Sequence, residues 1–76
     1  MITEKQKDIY LTAKELVGRY PIDFQEAFEI LKIIELENIR KQLALIKMIL
    51  KAEDKKATFE KIKIVQNFVY LKSKQY

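Results

Sequence analysis

Apolar residues recur every three or four positions along most of the chain, a spacing that predicts amphipathic helices. The first such stretch is expected to run from Thr3 to Gly18, because a glycine commonly ends a helix. The last is expected to run from Lys56 or Thr58 to about Lys72. The apolar positions of the first are Ile9, Ala13, Leu16 and Tyr20, and those of the last are Phe59, Ile62, Val65 and Val69.

The segment between them, which follows the chain's only proline at Pro21, carries two apolar stripes. One stripe contains Phe24, Ala27, Phe28, Leu31 and Ile34 and resumes at Leu45 and Ile49. The other follows the heptad spacing of three and four and contains Leu36, Ile39, Leu43, Ile46 and Leu50. Two structures fit: one long helix kinked near residues 35–38, or two helices of which the second begins at Glu37 or Asn38. We favour the single helix because no glycine or proline interrupts the segment.

These elements predict an all-α fold, a single domain over residues 1–76 of three helices with a long central one. A helix that is apolar on two sides should be buried on both. Since the outer helices are shorter than the central one, we expect self-association to cover the remaining apolar surface. The heptad run fits either a contact within one chain or a contact between chains. The residues predicted to form the interface are Leu36, Leu45, Met48 and Ile49, with Glu35 and Asn38 beside them.

The composition argues against catalysis. The chain has neither histidine nor cysteine, so the commonest general base, the commonest metal ligand and a thiolate nucleophile are all missing. A single glycine cannot build a phosphate-binding loop. We therefore expect no enzymatic activity, no cofactor and no metal. No run of 18 apolar residues predicts a membrane span, and no apolar signal segment opens the chain. These features suggest a cytoplasmic protein, and the small size suits a virus or another mobile element.

Two stretches of the chain, the opening "ITEKQKDIY" and the later "RYPIDFQEAFEIL", carry a resemblance to a known family. The first is similar to the "LTEKQ" start, and the second to the "GYPP" turn and following helix, of winged helix-turn-helix domains of the LexA type. Residues 1–46 thus resemble the start of those domains. The resemblance implies a recognition helix whose buried side contains Ile39, Leu43 and Ile46. It also implies that Asn38, Arg40, Lys41 and Gln42 face DNA and that Lys47 meets phosphate.

A net charge of +4 permits such a nucleic-acid partner without requiring one. Glu35 and Glu37 would stand where phosphates approach, and their charge opposes binding. We therefore predict a small protein-interaction or regulatory module that binds a protein partner or itself, as a homodimer. A helix-turn-helix transcriptional regulator that binds DNA is the alternative.

Overall fold

The structure is a computed structural model that describes residues 4–74, apart from the side chain of Lys5. It contains four helices: α1 (Glu4–Arg19), α2 (Phe24–Ile34), α3 (Asn38–Lys51) and α4 (Lys55–Ser73). No strand occurs in this range, so the all-α prediction is confirmed. The prediction of three helices is wrong, since the central segment forms two. The predicted start of the first helix at Thr3 lies outside the described residues.

The central segment breaks at residues 35–37, between α2 and α3. The Leu36 amide donates to the Ile33 carbonyl at 2.9 Å, which closes the last turn of α2 tightly. The Lys41 amide then donates to the Glu37 carbonyl at 2.7 Å and opens α3. The break occurs without a glycine or proline. It turns the chain so that α2 and α3 both pack against α4, with Leu31 and Leu45 of the first apolar stripe buried, and this packing overrides helix propensity.

The core lies around α2, which packs against each of the other three helices. The buried residues of the core are Ala13, Leu16, Ile22, Ala27, Ile30, Leu31, Leu45, Ile62, Val65 and Phe68. The predicted stripe of α1 points inward, with Ala13 and Leu16 fully buried. By contrast, α3 contributes only Leu45 to the buried residues. The third helix is therefore the least embedded of the four.

The helix starts are capped differently. The Asp54 side chain accepts a hydrogen bond from the Ala57 amide at 3.0 Å, which satisfies an otherwise unpaired donor at the start of α4. Asp23 directly precedes α2 and lies three residues before Glu26, which is the sequence pattern of a capping box, but the Asp23 side chain makes no capping hydrogen bond. The sequence pattern thus places the start of α2 correctly without giving the side-chain contact that it usually implies.

A salt bridge and an aromatic contact join helices in addition to the apolar core. Lys61 Nζ of α4 lies 2.7 Å from Glu26 Oε2 of α2, in a partly buried salt bridge. The rings of Tyr10 and Phe24 meet edge to face at 5.3 Å between α1 and α2. These contacts fix α1, α2 and α4 to one another, whereas none of these polar or aromatic pairs involves α3.

Candidate interaction surface on the third helix

Four large aliphatic side chains of α3 are exposed to solvent. Their exposed fractions are 75% for Ile39, 55% for Leu43, 52% for Ile46 and 64% for Leu50. With about 100° of rotation per residue, they all lie within about 60° of one another on the helix. We call these four residues the outer face of α3. A contiguous apolar surface of this kind usually marks an interaction site.

The opposite side of α3 holds the helix against the rest of the chain. Leu45 is buried and only 8% exposed, while Met48 and Ile49 are half-buried against the core. Ala44 is likewise half-buried. The two apolar stripes of α3 thus have separate roles, because one packs inside the chain and the other faces solvent.

Two chemically different flanks border the outer face. Arg40, Lys47 and Lys51 lie on one side, which makes that flank basic, and all three are exposed. None of the three forms an ion pair within residues 4–74. Asn38 and Gln42 lie on the other side, and they are exposed and uncharged. The outer face therefore has a basic flank (Arg40, Lys47, Lys51) and a neutral flank (Asn38, Gln42).

The interface predicted from the sequence falls only partly on exposed surface. Leu45 lies in the chain's own core, and Met48 and Ile49 pack against it, so folding already uses these side chains. Leu36 is exposed in the connection between α2 and α3. There it lines a shallow apolar groove with Ile33 and Met48 rather than extending the outer face.

Glu35 and Asn38, predicted to flank the interface, are exposed. The exposed set that the prediction left out is Ile39, Leu43, Ile46 and Leu50. Their heptad spacing was the available signal. However, spacing alone does not say which of two equally apolar stripes faces the core.

The residues implied to contact DNA do not share one surface. Asn38 and Gln42 are on the neutral flank, Arg40 and Lys47 are on the basic flank, and the apolar outer face separates the two pairs. Lys41 is half-buried and lines a groove beside α4. The expected buried side of a recognition helix, Ile39, Leu43 and Ile46, is exposed instead.

Comparison with known proteins does not point to a function for this chain. No known protein family, characterised protein or solved structure matches the chain. Within the described range, no group of histidine, cysteine, aspartate or glutamate residues is arranged to hold a metal ion. None of the helices in residues 4–74 is both long and apolar enough to cross a bilayer. The outer face of α3, with four large aliphatic side chains exposed on one side of a helix, is the feature on which we build a functional proposal.

Proposed function

We propose that this protein is a small non-enzymatic interaction module that associates with further copies of itself through the outer face of α3. The observation that supports the proposal is the exposure of four large aliphatic side chains in heptad spacing on one side of a helix. Side chains at this spacing interlock with the same pattern on a second helix. The surface can therefore pack against the same surface of a second copy.

The size of the surface predicts reversible association. Weighted by their exposed fractions, the four side chains equal about two and a half fully exposed side chains per copy. At roughly 1.5–3 kcal/mol for each aliphatic side chain, covering them stabilises the complex by about 4–7 kcal/mol per copy. Association itself costs about 4–15 kcal/mol in lost freedom. Two copies gain about twice the single value, which is similar in size to the cost of association, so we expect reversible association with a dissociation constant in the micromolar range or weaker.

Light scattering on a size-exclusion column tests this proposal with a matched pair of variants. Leu43 on the outer face and Leu71 on α4 are both half-exposed leucines, 55% and 51% respectively. We expect Leu43→Gln to weaken self-association at least tenfold, because each copy loses an apolar contact in the interface. Leu71→Gln should leave the association unchanged. A wild-type protein that stays at the 9.1 kDa chain mass at millimolar concentration would remove the proposal.

DNA binding is the second candidate, and the basic flank favours it. Arg40, Lys47 and Lys51 are exposed cations without ion-pair partners among the described residues, and such residues suit phosphate contacts. Binding of this kind weakens with salt, with a slope of roughly −0.9 per phosphate contacted. Fluorescence anisotropy with a mixed-sequence duplex, repeated with Lys47→Ala, tests it. No binding at low salt would exclude this second function, and a loss of affinity in Lys47→Ala would support it.

A further inference from the structure

We infer that the copies associate with their α3 helices parallel, an inference that rests on the proposed self-association. The four aliphatic side chains of the outer face could pack in either direction, so they do not decide the orientation. The flanks do, because one is basic (Arg40, Lys47, Lys51) and the other is neutral (Asn38, Gln42).

An antiparallel arrangement brings flanks of the same kind together. The basic flanks of both copies would then share one side of the helix pair and bring six cations together. None of these cations forms an ion pair within residues 4–74. Charges across a helix pair lie closer than the screening length of about 10 Å at 0.1 M salt. The antiparallel arrangement is therefore disfavoured.

A parallel arrangement brings opposite kinds of flank together. Arg40 and Lys47 of one copy then face the neutral flank of the next, where Gln42 offers a carbonyl oxygen as a hydrogen-bond acceptor. The cations of two copies are separated onto opposite sides of the helix pair. The same heptad register gives leucine at the a positions (Leu43, Leu50) and isoleucine at the d positions (Ile39, Ile46). That pattern favours more than two helices in parallel coiled coils.

Single cysteine variants can read the orientation directly, because the chain contains no cysteine of its own. Ile39 and Leu50 stand at the two ends of the outer face, about 16 Å apart along the helix. Both are exposed, so Ile39→Cys and Leu50→Cys should fold as the wild type does, which circular dichroism checks. In a parallel assembly each residue of the outer face lies next to the same residue of a neighbouring copy. Each variant alone should therefore form disulfides under mild oxidation far faster than Asn67→Cys, an exposed control position on α4.

An equal mixture of the two variants completes the test, with the cross-linked species separated by mass spectrometry. We expect mainly the two self-linked products and little of the mixed product that joins position 39 to position 50. If the mixed product dominated and the wild-type protein was oligomeric, the parallel orientation would be overturned while the proposed self-association would stand. Cross-linking no faster than the Asn67→Cys control would overturn the parallel orientation. If the wild-type protein also stayed monomeric, the proposed self-association would fail as well.

Discussion

Two leucines of α3, two positions apart, should respond in opposite ways to the same substitution. Leu45 is 8% exposed and packs in the core, whereas Leu43 is 55% exposed on the outer face. Replacing Leu45 by alanine removes buried carbon and leaves a cavity, which typically costs 2–5 kcal/mol of unfolding free energy. Leu45 belongs to a core that also contains buried residues of α1, α2 and α4, and a close-packed interior relaxes only partly to fill a cavity.

The same replacement at Leu43 removes carbon of which about half is already in water. We expect a loss of about 1 kcal/mol or less in the monomer, and alanine's higher helix propensity offsets part of it. Self-association, however, should weaken strongly in Leu43→Ala. It should persist in Leu45→Ala wherever that variant is folded.

Urea or thermal denaturation at low protein concentration measures the stability of the monomer. Sedimentation velocity at high concentration measures the self-association. At about 4–8 °C per kcal/mol for a chain of this size, Leu45→Ala should lower the Tm by roughly 10 °C or more. If Leu43→Ala destabilised the dilute monomer as much as Leu45→Ala does, Leu43 would not be a surface residue of the monomer. If Leu43→Ala associated as tightly as the wild type, Leu43 would not lie in the interface between copies.

Three further substitutions test the fold, all by chemical denaturation. Asp54→Ala should lower the free energy of unfolding by about 1 kcal/mol because it removes the side-chain cap of α4. Asp23→Ala has no capping hydrogen bond to lose and should lower it clearly less. Equal losses in the two variants would contradict this expectation. Glu26→Gln should lower the free energy of unfolding by at most about 1 kcal/mol, since water screens its partly exposed salt bridge to Lys61. The loss should become smaller as salt is added. A loss that does not depend on salt would argue against an ionic origin. Gly18→Ala should stabilise by about 0.5–1 kcal/mol, because an added methyl group meets nothing within 4 Å and the backbone is helical there; a destabilised variant would show that this space is not free.

The sequence predicts the helical faces well where only one stripe exists. In α1 the positions of Ala13 and Leu16 are enough to identify the buried side, and both are fully buried. The break at residues 35–37 is harder to predict, because no glycine, proline or helix-breaking cluster marks it. The rotation between two apolar stripes left a kink and a break both open, and the break is set by the packing of α2 and α3 against α4.

The candidate surface was predictable as a pattern but not as a location. The heptad spacing of Ile39, Leu43, Ile46 and Leu50 is visible in the sequence. Leu45 and Ile49 form a second stripe of equal hydrophobicity on the same helix, and which stripe packs inward depends on α2 and α4. The sequence therefore indicated surplus apolar surface on this segment, while the choice between its two sides required tertiary structure.

Methyl NMR spectra recorded on dilution show directly whether the copies associate through α3. We expect the methyl signals of Ile39, Leu43, Ile46 and Leu50 to shift with concentration between the micromolar and millimolar ranges. The signals of exposed leucines elsewhere, Leu11 on α1 and Leu71 on α4, should stay fixed. Spectra that do not change with concentration, or changes centred on α1 or α4, would contradict the assignment of α3 as the surface through which this protein associates.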